Sequence, residues 1–185
     1  MNLTELIIDR RSIQLYEDRP VPVEELKKML ETAVWVPNHK MTQPWRFIFV
    51  YGDSIKKIAE INRTLGEKGK DPEERKANGE KAYQKIANVP VLLVVAMKEN
   101  HSPKFREEDY AATSCMIQNF SLLAWEQGIG MIWKTGQLTI EDEFREAVGV
   151  QPGERVAGML QIGYPAKVPK PRPRADVKTR ITELD

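Results

Sequence analysis

Cysteine is all but missing from this 185-residue chain, where Cys115 stands alone. A lone thiol cannot close an intrachain disulfide and fits a reducing compartment. Histidine is nearly as scarce, with His39 and His101 only, so no ligand cluster has usable spacing and no metal is expected. Nor is there an excess of one charge: 28 Lys and Arg oppose 27 Asp and Glu, a net charge of +1. That balance supplies no global basic field for nucleic acid and no acidic, solvating tail. The longest apolar run, "VPVLLVVAM", has the length of a strand and cannot span a bilayer as a helix. "MNLTELIIDRRS" is too charged, and too short in its apolar part, for a secretory signal. The chain therefore reads as cytoplasmic, with neither nucleic acid nor membrane as partner. Motifs are missing too. There is no GxSxG elbow, no GxGxxG turn and no GxxxxGK[ST] loop, and Ser12 and Ser114 lack evident His–Asp partners. Hydrolysis lacks its usual parts, so an enzyme of this composition would lean on a cofactor.

What is present alternates between helical and strand periodicity. Leu3 to Asp9 reads as a short amphipathic helix. "VPVEELKKMLETAVWVP" places Leu26, Met29, Leu30, Ala33 and Val34 at helical spacing between two prolines. "WRFIFVYG" reads as a buried strand, and Asp53 as the N-cap of "SIKKIAEINRTLG". "EKGKDPEERKANGEKAYQK" is charged and helical in part, a solvated excursion or a flap over a pocket. "VPVLLVVAM" is apolar throughout, so both its faces should be covered. Tyr110 to Trp125 reads as a helix that is apolar all round, buried in a core and often at a subunit interface as well, with Cys115 a buried structural thiol. "GMIWKTG" is a short strand entering a tight loop, and "LTIEDEFREAVGV" a helix with a capping-box-like Thr139 and Asp142. "RVAGMLQIGYP" is a last strand, and the proline-rich "AKVPKPRPRADVKTRITELD" is extended. No repeat or linker divides the chain. The expectation is one α+β domain over residues 1–185, a mixed, mainly antiparallel sheet of four to five strands flanked by helices, with an extended segment at 166–185.

Four segments stand out chemically. Arg10-Arg11-Ser12 puts two permanent cations beside a hydroxyl at the end of the first helix. Three readings are open: a solvated surface, a helix C-terminal cap, or a wall of a site for a doubly charged anion, since arginine favours bidentate oxyanions. "WVPNHKMTQPWRF" is an irregular loop between two prolines, with Trp35 at its start and Asn38, His39, Lys40 and Gln43 within it. In "GMIWKTG", glycines let backbone N–H groups approach a flat ligand. Lys170, Arg172 and Arg174 line a stiff, proline-spaced tail.

Taken in order, these segments resemble the FMN-dependent nitroreductase family, specifically its small single-domain members. The resemblance rests on "RRS" after the first helix, "PNHKMTQPW" at Pro37 to Trp45, "GxxWKTG" after the long helix, "IGYP" at Ile162 to Pro165, and the basic "PKPR" beyond it. It implies a nitroreductase-like fold and a homodimer with shared sites at the subunit interface. Arg10 and Ser12 match positions that hold the FMN phosphate and ribityl chain, with Arg11 beside them. Lys170 and Arg172 match the basic pair that completes phosphate binding, and Arg174 competes for that role because the register of the tail is open by two residues. Trp35 and His39 match loop positions facing the flavin of the other subunit, and Trp133, Lys134 and Thr135 match the turn near the isoalloxazine ring. Many relatives have a basic residue shortly after the serine; here those positions are Gln14 and Leu15. The activity implied is hydride transfer from NADH or NADPH through flavin N5 to a nitroaromatic or quinone acceptor. The alternatives are flavin or enone reduction on the same fold, or a non-catalytic FMN store or sensor.

Overall fold

Continuous apolar character in "VPVLLVVAM" puts that segment inside a sheet. The computed structural model, which describes residues 2–184, has four strands: β1 (Trp45–Tyr51), β2 (Val91–Lys98), β3 (Gly130–Lys134) and β4 (Glu154–Gly163). Their order is β1-β2-β4-β3 and every neighbouring pair is antiparallel. The expected α+β class and four-to-five-strand sheet are thus what forms, with four strands.

Alternation along β2 sorts its side chains into two cores. Val91, Leu93, Val95 and Met97 point to one face, where α2 (Val23–Ala33) and α5 (Pro103–Glu126) contribute Leu26, Leu30, Met116 and Phe120. Leu92 and Val94 point to the other, against Ile55, Ile58 and Ala59 of α3 (Asp53–Gly66) and Phe144 of α6 (Asp142–Ala147). The charged excursion is α4 (Pro72–Ala87), capped by Asp71 and lying along α3. Gly79 permits that approach, since a Cβ there would meet Glu67 and Arg63 of the facing segment. α1 (Leu3–Asp9) precedes the sheet in the chain, with a complete capping box between Asn2 and Glu5.

Several sequence expectations need correction. β1 is an edge strand with only Val50 buried, not a buried one. Gly52, at φ +61°, rather than Asp53 caps α3, and Asp53 instead pairs with Lys56 at 2.8 Å. α5 starts seven residues earlier than expected, at Pro103, because its charged first turns conceal the apolar pattern. "LTIEDEFREAVGV" divides into a 3-10 turn at Gln137–Ile140 and α6, and Thr139 donates to the Gly136 carbonyl rather than closing a capping box. Cys115 is exposed. One side of α5 fills the core, and the side bearing Ala111, Cys115 and Gln118 is open in the single chain. Among the described residues, no helix is long and apolar enough to cross a membrane.

Candidate functional site at the β3 edge

The two adjacent arginines divide the readings offered for them. Arg11 is the helix cap: its Nη1 donates to the carbonyls of Ile8, at 2.5 Å, and Arg10, at 2.9 Å. Arg10 is half-buried, and its Nε is buried without a hydrogen-bond partner. Burial, then the charges of Arg11 and Arg174, hold its pKa below the ordinary arginine value. No carboxylate lies within salt-bridge distance of any of the three among the described residues. An uncompensated group of guanidiniums is costly in isolation and is what a phosphate-like anion would neutralise.

This group is fixed to the sheet. Ser12 forms an isolated bridge with Met131, and Ile13 N–H donates to the Met131 carbonyl at 3.1 Å. Ile13 is fully buried, packed where Gly130 lacks a Cβ. Beyond it, the Tyr16 hydroxyl lies 2.7 Å from the Ile13 carbonyl oxygen and 2.8 Å from that of Gln161, tying the segment to β4. Burial raises the Tyr16 pKa well above the ordinary phenol value. A raised folded-state pKa contributes stability that is full below the unfolded value of about 10 and falls as pH rises beyond it. Thermal unfolding measured from pH 8 to 11 should therefore show a loss above pH 10 that Tyr16→Phe reduces. Tyr16→Phe should also cost about 1–2 kcal/mol at neutral pH, because the one O–H shared between two part-buried carbonyls is lost.

β3 runs from this anchor to the glycine-bounded turn. Lys134 lies three positions beyond Met131, about 10 Å at strand rise. At the far end the Trp133 indole is committed inward. Pairing shifts between Val95 and Ala96, leaving Ala157 of β4 as an extra, bulged residue, and Trp133 Nε1 donates to its carbonyl at 3.1 Å. Gly158 leaves the room that the indole fills. Lys134 is half-exposed and Thr135 exposed, and nothing crowds Gly136. Among the described residues, the N–H groups of Thr135 and Gly136 have no hydrogen-bond partner. That edge could receive a flat polar ring.

The loop between α2 and β1 is strained. Lys40, Met41 and Gln43 all have positive φ, at 55°, 51° and 43°, a region costing roughly 1–2 kcal/mol for residues with a Cβ. Asn38 holds this geometry, its Oδ1 accepting from Gln43 N–H at 2.7 Å and its amide donating to Thr42 at 3.0 Å. Thr42 in turn donates to the buried Asp109 of α5 at 2.5 Å. His39 stacks on Phe105 of α5 with centroids 5.9 Å apart, while Trp35 stands 84% exposed. Sequence reasoning missed Asp109. A lone carboxylate at i−3 and i−7 from the core residues Ala112 and Met116 was the available signal.

The tail from Ala166 to Leu184 is exposed throughout. Arg174, not Lys170 or Arg172, is the tail cation whose charge acts on Arg10. Arg174 also donates to the Arg172 carbonyl at 3.0 Å. The structure thus places Arg10, Arg11 and Ser12 at one end of β3 and Trp133, Lys134 and Thr135 at the other, with the exposed Arg174 near enough for its charge to act on Arg10. Lys170 and Arg172 remain on the solvated tail, and Trp35 faces solvent on this chain.

Comparison with known proteins gives this arrangement a context. A family model described as "Nitroreductase family" matches residues 7–164. A Bacillus subtilis (strain 168) protein, YfhC, named as a candidate NAD(P)H nitroreductase, is 40% identical over 184 residues, 98% of this chain and 94% of its own. A solved nitroreductase-like family protein from Bacillus cereus superposes with a TM-score of 0.87 at 34% identity, covering all of this chain and 96% of that one. The FMN and NADPH-dependent nitroreductase NfnB from Sphigopyxis sp. strain HMH shares the fold at a TM-score of 0.79 and 19% identity, with full coverage of both chains.

Proposed function

Since the chain belongs to the nitroreductase family, we propose that it is a cytoplasmic, single-domain, homodimeric oxidoreductase that holds FMN along the β3 edge. The observation that supports this most is the unneutralised convergence of Arg10, Arg11 and Arg174, with an orphaned Nε inside it. Those residues suit the FMN phosphate, each charge-assisted hydrogen bond contributing about 1.5–3 kcal/mol. Ser12 lies next along the edge for the ribityl hydroxyls. Lys134, Thr135 and the free N–H groups after β3 would face the ring, with Trp133 holding that turn in place. Lys170 and Arg172 would screen the phosphate from the tail. FMN held there would supply hydride-transfer chemistry between NADH or NADPH and a nitroaromatic or quinone acceptor.

Dimerisation would account for apolar surface the single chain leaves open. Trp35, Leu3, Ile7 and Ile8 are exposed, as are Val168, Val177, Ile181 and Leu184 of the tail. A second copy covering them would also bring Trp35 and His39 toward the partner's flavin, completing each site from two chains.

Kinetics test the enzyme reading against a flavin store. If one ring face serves both substrates, NAD(P)H must leave before the acceptor enters, and double-reciprocal lines should be parallel. Anaerobic NADH or NADPH alone should bleach the bound flavin, and a quinone or nitroaromatic should restore its colour. Intersecting lines would exclude the single-face scheme. A flavin that neither nicotinamide bleaches within minutes would mark a store or sensor.

A further inference from the structure

Three arginines that the flavin reading leaves unused share one cavity beside the Thr135 turn. Arg106 reaches it from the first turns of α5, Arg145 from α6 and Arg155 from the start of β4, and the cavity, open to solvent, has a volume of about 680 Å³. Among the described residues, Glu107 is the only carboxylate in its lining. None of the three guanidiniums has a carboxylate within salt-bridge distance among the described residues. Arg155 is held with its guanidinium carbon 4.5 Å from the centroid of the Tyr110 ring, and its Nε is buried without a partner. Arg145 spends one N–H on the Glu154 carbonyl, at 2.9 Å. Each guanidinium has five donors, so most remain free.

A water-filled cavity needs no such arrangement. Burying a cation without a counter-charge is costly. The charge of Arg145 is felt by Glu154, a carboxylate already paired with Arg46, so Arg106 and Arg155 are left facing Glu107 with positive charge in excess. Arginine forks match carboxylate and phosphate oxygens in pairs, and Tyr110 keeps the Arg155 plane from turning away. Thr135 belongs both to this cavity and to the turn where the ring is placed, so a molecule lying against that turn can extend its far end to the arginines.

We propose that this cavity is an oxyanion subsite, in which Arg106 and Arg155 hold an acid group at the end of a substrate whose reacting end lies at the Thr135 turn. The proposal rests on the flavin reading for the position of the reacting end, but the subsite itself is made of groups outside the FMN set. Two sources share the required chemistry: a carboxylate on the electron acceptor and the 2′-phosphate of NADPH.

Calorimetry on the FMN-loaded protein, without reductant, separates the possibilities. The wild type should bind 4-nitrobenzoate about tenfold or more tightly than nitrobenzene, and the Arg106→Gln, Arg155→Gln variant should bind the two alike. Arg106→Gln alone, which removes no hydrogen bond present in the structure, should lose about tenfold for 4-nitrobenzoate if the double variant proves unstable. Steady-state KM values give the second arm. A rise for NADPH of about tenfold with none for NADH, and no acid preference among acceptors, would place the dinucleotide phosphate there. Failure of both contrasts in the wild type, or their survival in the variants, would overturn the subsite. Loss of flavin from the variants would overturn it too, by assigning these arginines to the cofactor. If the protein binds no FMN, the flavin reading fails, while the acid-versus-neutral contrast still reads the subsite directly.

Discussion

Arg10→Ala should lower FMN affinity by about one to two decades while leaving the flavin-free protein at least as stable as wild type. The first effect follows from removing one charge-assisted contact to a phosphate. The second follows from the geometry: Arg10 is half-buried, repelled by Arg11 and Arg174, and has an Nε with no partner, so its removal relieves an unfavourable arrangement when no anion is bound. Arg11→Ala supplies the contrast. Its guanidinium caps α1 through the Ile8 carbonyl, so its loss should cost about 0.5–1.5 kcal/mol of stability and less affinity than Arg10→Ala. Fluorescence titration with FMN and thermal unfolding of the flavin-free proteins together read both effects. An Arg10→Ala protein with wild-type FMN affinity would remove the phosphate role.

The largest stability effect should come from Gly158→Val. Its first side-chain atom would overlap the Trp133 indole at Nε1 and Cδ1, on an inner strand of the sheet. Overpacking of this kind costs about 1–3 kcal/mol, and displacing the indole also strips the Ala157 carbonyl of its donor, a further 1–3 kcal/mol. A loss of roughly 3 kcal/mol or more should lower Tm by about 10 °C in a chain of this size. A second substitution, Trp133→Leu, vacates the overlap and should recover part of the loss. Additive destabilisation in the double variant would mean that the two residues do not share that space. The same bulge ties the side chain that precedes the turn after β3 to the neighbouring strand.

Much of this could be read before folding. The unbroken apolar run of β2 announced a strand covered on both faces, and the alternation of Leu92 and Leu93 supplied the two cores. Helical spacing located α2, and the adjacency of Arg10, Arg11 and Ser12 flagged the anchor of the site. Other features depend on long-range contacts that no local pattern encodes. The family resemblance puts Trp133 in the turn near the flavin ring, and only the bulge at Ala157 shows where its indole N–H finds an acceptor. The charged residues from Lys104 to Asp109 hide the first two turns of α5, although Asp109 in particular is buried to hold Thr42 and the strained loop. Cys115 sits in an apolar helix yet faces outward, because one chain covers only one side of that helix. The register of the tail could not be fixed from spacing, since an extended proline-rich segment has no periodicity to index Arg174 against Arg172.

A comparative titration of flavin-free protein with FMN and riboflavin tests the central reading most directly. The two ligands share the ring and the ribityl chain and differ in the phosphate, so their difference in affinity isolates the Arg10, Arg11 and Arg174 group. FMN should bind at one per chain and turn the protein yellow, and riboflavin should bind about 100-fold or more weakly, as expected for two or more charge-assisted contacts. Equal affinity for the two, or a protein that stays colourless with FMN, would contradict a phosphate site at the start of β3.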